Sequence, residues 1–173
     1  MVTEFQINKI LLIGVGNPYR NDDRAGLEVV HKLKEKNLPG VEIAESIGEG
    51  TALVEIWKER KIVILVDAVH SGARVGTVHR FHANTQSIPS QFFRYSTHAF
   101  SVAEAIELAR SLRQLPSALV VYGIEGKDFN SGTKLSKQVE KAVENLVNHI
   151  EREILSLTSP ERYSKSSERP LRN

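Results

Sequence analysis

The stretch ILLIGVGNPYRNDDRAG, from Ile10 to Gly26, decides the fold. Four apolar residues in a row, Ile10 to Ile13, read as a strand covered on both faces, since a half-buried strand would alternate. Gly14-Val-Gly-Asn17 then turns the chain and a short polar loop follows. Asp22 and Asp23 stand directly before a segment in which Gly26, Leu27, Val30 and Leu33 keep helical spacing. A buried strand that hands a charged loop to the start of a helix is the arrangement in which α/β proteins place ligands, outside the carboxyl ends of the strands.

Working outward, the first strand is expected over Gln6–Val15. The first helix covers about Asp23–Lys36, with Asp22 as its cap, and stops at Asn37-Leu38-Pro39-Gly40. Val41–Ser46 alternates apolar and polar, as a half-buried or edge strand does. A loop at 48–51 leads to a short helix over Ala52–Lys58. Lys61–Ala68, KIVILVDA, is the most apolar run and reads as the central strand, with Asp67 at its end. Thr77–Phe81 alternates again. A connection of about seven residues is too short for a parallel crossover, which predicts an antiparallel hairpin with the central strand.

Ala83–Thr97 is polar and long for a loop. An antiparallel strand leaves the chain at the wrong end of the sheet, so this segment must climb back, setting His98 down at the edge that holds Asp23 and Asp67. Ser101-x-x-Glu104 is a capping box opening a helix to about Leu112. Ser117–Tyr122 is the last strand and 123–133 a Gly-rich loop. Leu135–Leu157 is a long amphipathic helix. The order implies a mostly parallel sheet with helices on both faces and one antiparallel strand, an α/β fold. Residues 1–157 read as one domain, and 158–173, with Pro160 and Pro170, as a polar tail.

Composition narrows the function. The chain has 173 residues, of which 40% are hydrophobic and 25% charged, which suits one globular domain. Without cysteine there are no disulfides, thiolate metal sites or Cys nucleophile. The N-terminal apolar run is too short for a membrane span or signal peptide, so a cytoplasmic protein with no membrane insertion is expected. The net charge of +2 is spread over both signs, and no basic cluster interleaved with aromatics argues for nucleic acid.

The two glycines at 14 and 16 suggest a dinucleotide fingerprint, but the third glycine it needs falls on Tyr19. A P-loop lysine, a Gly-x-Ser-x-Gly elbow and a His-Glu-x-x-His pair are all missing. Asp23, Asp67 and His98 remain, distant in sequence and convergent in the inferred fold. Two carboxylates and one imidazole suit a borderline divalent ion such as zinc or nickel with positions left open. Each residue also has a plain local explanation: a first-turn acid, a strand-terminating turn acid, a surface histidine near a helix start. His31, His70, His79, His82 and His149 lack the pattern and read as surface or strand-face residues.

GVGNPYRNDDRAG, GEGT at 48–51, VDAVHSG at 66–72, the histidine of STHAFSVAEAIELA and YGIEGKDFNSGTKLSKQVEKAV at 122–143 together resemble the hydrogenase maturation proteases. The resemblance runs in order from about Lys9 to Ile150. It implies a three-layer α/β/α fold with a mixed five-stranded sheet, one strand antiparallel. It implies an aspartic-type endopeptidase, an activator of its target enzyme. Such an enzyme removes a C-terminal extension from the large-subunit precursor of a nickel–iron hydrogenase after nickel insertion. The residues it assigns to nickel and catalysis fall on Asp23, Asp67 and His98. The nickel comes with the substrate, so the free protein would lack it or hold another divalent ion. Two departures stand out: Asp23 where Glu is frequent, and Glu49 where many members have Gly. A non-proteolytic nickel or maturation-complex binding protein and a conventional metallopeptidase with its own metal are the alternatives.

Overall fold

The computed structural model describes residues 9–89, 92 and 101–158. Five strands form one sheet: β1 (Ile10–Val15), β2 (Val41–Ser46), β3 (Ile62–Val69), β4 (Val78–His82) and β5 (Ala118–Glu125). Four helices cover it: α1 (Ala25–Glu35), α2 (Gly50–Trp57), α3 (Val102–Ser111) and α4 (Lys137–Thr158). The spatial order is β2-β1-β3-β5-β4, with every neighbouring pair parallel except β4 and β5. The predicted α/β/α architecture with one antiparallel strand is therefore the one observed.

Strand periodicity builds the layers. Leu11, Ile13, Val63, Leu65, Leu119 and Val121 point to one face and pack with α2 and α3. Ile10, Leu12, Ile64, Val66, Tyr122 and Ile124 point to the other and pack with α1 and α4. Because β1, β3 and β5 are buried on both faces, they read as unbroken apolar runs. β2, at one margin, alternates as its half-buried position requires.

The structure corrects the strand pairing at one point. β4 does not form a hairpin with β3; β5 lies between them. The chain leaves β3, passes over the end of β5 and comes down its far side. Gly76 N–H donates to Glu125 O at 2.8 Å, and Glu125 N–H donates to Thr77 O at 2.8 Å. Connection length forbade a parallel return, and the strand is indeed antiparallel. A length rule says nothing about a strand inserted later from about 40 residues downstream.

β3 and β5 also run past their expected ends, so Asp67 lies two residues inside β3, opposite Gly123. The expected strand residues 6–8, much of the 83–97 loop, His98 and the tail beyond Thr158 lie outside the described residues. No helix among the described residues is long and apolar enough to cross a membrane.

Candidate active site

Glycine contacts place α1. A Cβ on Gly26 would sit 2.3 Å from both Val15 O and Val66 O, so the first turn of α1 lies directly on the backbones of β1 and β3. A Cβ on Gly16, whose φ is +152°, would sit 2.0 Å from Asp23 O. The backbone at Asp23 thus rests on the exit of β1, and β1 neighbours β3 with Gly14 beside Val66. Close packing therefore brings the turn carrying Asp23 to the strand position carrying Asp67.

Asp67 is 7% exposed and accepts the Ala68 N–H at 2.8 Å. Burial, and next the charge of Asp23, push its carboxyl well above the usual carboxylate range, against the one N–H bond that favours ionisation. Asp23 lies 3.6 Å from Arg20 Nη1. Two carboxylates close enough to repel, one of them dry, form a place that is stabilised by a cation. Among the described residues no group of three His, Asp or Glu could hold a metal ion. Asp23 lies near enough to Asp67 for its charge to raise that carboxyl, and His98 lies outside the described residues.

Asp22 has a different job from the one expected. A short 3₁₀ turn, Asn21–Arg24, precedes α1, and the cap position of the helix falls on Arg24, which makes no side-chain cap bond. Asp22 is fully buried. Its Oδ2 accepts Lys127 N–H at 2.8 Å, Asp128 N–H at 2.9 Å and the Ser136 hydroxyl at 2.9 Å. Its Oδ1 accepts Ser136 N–H at 2.7 Å. Backbone N–H groups only donate, so both oxygens act as acceptors here. It ties the turn after β1 to the loop after β5 and satisfies the start of α4 rather than of α1.

Neighbouring bonds close the same seam. Asn21 Nδ2 donates to Asp128 Oδ2 at 2.8 Å, Arg20 Nε to Phe129 O at 3.0 Å and Arg24 Nη1 to Thr133 O at 2.8 Å. The two loops form one wall of the carboxyl edge.

Glu125, 1% exposed, has an analogous role that the sequence reading missed. It accepts Ser71 N–H at 2.8 Å, Gly72 N–H at 3.0 Å and the Ser71 hydroxyl at 2.8 Å, holding the chain just after β3. The available signal was an acid directly after the apolar run of β5. Glu49 explains its own departure from the family pattern: its carboxylate accepts Thr51 N–H at 3.1 Å and Ala52 N–H at 2.8 Å, capping α2.

Residues 27–153 match the family model described as HycI, hydrogenase maturation protease. A Methanocaldococcus jannaschii chain assigned to the hydrogenase maturation proteases is 30% identical over 153 residues, spanning 83% of this chain and 97% of its own. The hydrogenase 2 maturation protease of Escherichia coli is 25% identical over 146 residues, spanning 82% of this chain and 88% of its own. The solved structure of the hydrogenase-maturating endopeptidase HybD of Escherichia coli superposes with a TM-score of 0.65 at 21% identity. That match covers 82% of this chain and 89% of that one, and it is a likeness of fold.

Proposed function

This chain belongs to the hydrogenase maturation protease family and is a peptidase; from that premise we propose that it removes the C-terminal extension of a nickel-loaded large-subunit precursor, with the precursor's nickel as the group its site recognises. The observation that carries this reading is the pairing of buried Asp67 with Asp23 at the carboxyl edge of the sheet. The two carboxylates repel, and a divalent cation relieves the repulsion.

In this reading nickel is part of the substrate. Asp23 and Asp67 offer oxygens and His98 an imidazole nitrogen, a partial ligand set that leaves positions for groups of the precursor itself. Hydrolysis adds water across the scissile peptide bond. The carbonyl carbon gains an oxygen, the carbon–nitrogen bond breaks, and the departing nitrogen takes a proton. A carboxylate of the pair is the base for that water. Asp22 and Glu125 are unsuited to the role. Both are saturated with donors, including the Ser136 and Ser71 hydroxyls, and hold loops in place.

The test is processing of nickel-loaded precursor by Asp23→Ala, Asp67→Ala and His98→Ala. Each variant is expected to lose about 10²-fold or more of the rate, the scale of a missing acid–base group. Full activity in all three would overturn the site. Precursor lacking nickel is expected to stay uncut. Stoichiometric zinc in the purified protein would point instead to a conventional metallopeptidase.

A further inference from the structure

We infer that Arg20 is the built-in counter-cation of Asp23, occupying its carboxylate so that free divalent ions bind poorly and only an ion delivered on the precursor displaces it. This rests on the reading of Asp23 and Asp67 as the nickel-recognising pair.

Arg20 directly precedes the 3₁₀ turn Asn21–Arg24, and Asp23 N–H donates to Arg20 O at 2.8 Å. That bond closes one turn, so the backbone sets the acid within reach of the arginine side chain. Their ion pair follows, with Nη1 and Oδ2 3.6 Å apart and the side chains 22% and 16% exposed. The guanidinium is not left to wander. Its Nε donates to Phe129 O at 3.0 Å, in the loop that Asp22 anchors.

Arg24, at the other end of the same turn, is committed elsewhere. It donates to Thr133 O and pairs with Glu28. Both arginines thus fasten the loop after β5, and Arg20 carries its charge beside Asp23 as well.

The chemistry of the pair favours exchange. At 3.6 Å the contact is longer than a charge-assisted hydrogen bond, and it is partly solvated, so it yields to a better ligand. A guanidinium does not lose its proton, so it vacates the carboxylate by moving. A free ion must displace it unaided and against its charge. An ion carried by a docked precursor is helped by every other contact of that docking. Arg20 thereby separates delivered nickel from free metal, a specificity that the two acids alone do not supply.

The experiment titrates nickel(II) chloride into purified wild type, Arg20→Met, Arg20→Lys and Asp23→Ala by calorimetry. Arg20→Met is expected to bind about tenfold more tightly than wild type, the order of effect of one unit charge on a divalent ion in a partly solvated site. Arg20→Lys, which restores the charge, should return toward wild type. A variant that merely damaged the turn would bind more weakly. If Arg20→Met binds no tighter than wild type while Asp23→Ala loses affinity, the counter-cation role is overturned and the site stands. If Arg20→Met gains nothing and Asp23→Ala changes nothing, both are overturned.

Discussion

Replacing Asp22 by Asn exchanges one oxygen for an NH₂ group with almost no change of shape, yet it should be among the more damaging substitutions in the chain. The carboxylate is fully buried and takes four hydrogen bonds, three on Oδ2 and one on Oδ1. An amide keeps one oxygen. Turned to face Lys127, Asp128 and the Ser136 hydroxyl, it retains three bonds and opposes its NH₂ to the Ser136 N–H. Turned the other way it retains one. In the better orientation each surviving bond falls from charge-assisted to neutral, a loss of about 1 kcal/mol apiece, and one buried N–H goes unsatisfied at about 1–3 kcal/mol. Relief from burying a charge offsets part of this. The net expectation is a destabilisation of about 3 kcal/mol. Trp57, the single tryptophan and fully buried in α2, reports urea unfolding by its fluorescence. Hydrogen exchange should place the first loss of protection at 127–136, where the partners lie. A change below about 1 kcal/mol, within the reach of an ordinary surface substitution, would refute the claim that Asp22 holds the two loops together.

Asp67→Asn should behave in the opposite way, gaining stability as it loses processing. Burial and Asp23 raise the proton affinity of Asp67 in the folded state. The folded protein therefore holds the proton more tightly than the unfolded chain, and stability falls as pH rises from the unfolded carboxyl value through the folded one. The amide carries no such dependence, so the advantage of Asp67→Asn in melting temperature should widen as pH rises above the ordinary carboxyl range; a constant difference would count against the raised carboxyl. Gly26→Ala drives a methyl group into two backbone carbonyls at 2.3 Å, which only a shift of α1 away from the sheet can relieve. About 3 kcal/mol is expected, a fall of about 10 °C in melting temperature, and a variant melting with the wild type would show that the helix is not seated this tightly.

What was legible in the sequence was whatever depended on local periodicity. β1, β3 and β5 are buried on both faces, and their unbroken apolar runs announce it. Val41–Ser46 was bounded to the residue because an edge strand alternates. Asp67 was legible as a candidate because it stands where the most apolar run reaches the carboxyl edge of the sheet. The missed features depend on distant partners. The neighbour of β4 is set by β5, about 40 residues later. The role of Asp22 is set by Lys127, Asp128 and Ser136, more than a hundred residues away. A cap was the nearest explanation for an acid before a helix, and it was wrong because a 3₁₀ turn intervenes.

That turn also explains how two adjacent acids acquire unrelated functions. At three residues per turn, successive side chains leave a 3₁₀ helix about 120° apart. Asp22 and Asp23 therefore cannot face the same partner. One points into the loop after β5 and becomes a buried fastening; the next lies close enough to Asp67 of β3 for its charge to raise that carboxyl. Arg20, which precedes the turn, closes it from outside: its carbonyl accepts the Asp23 N–H and its guanidinium reaches the Asp23 carboxylate. The failed dinucleotide fingerprint fits this picture. Its third glycine, absent at Tyr19, exists to let a helix press on a strand. Here Gly26 does that, ten residues after Gly16, with its Cβ position against Val15 O and Val66 O. The interval between the two glycines accommodates the turn, and the turn places an acid, rather than the amide N–H groups that would cradle a phosphate, at the carboxyl edge of the sheet.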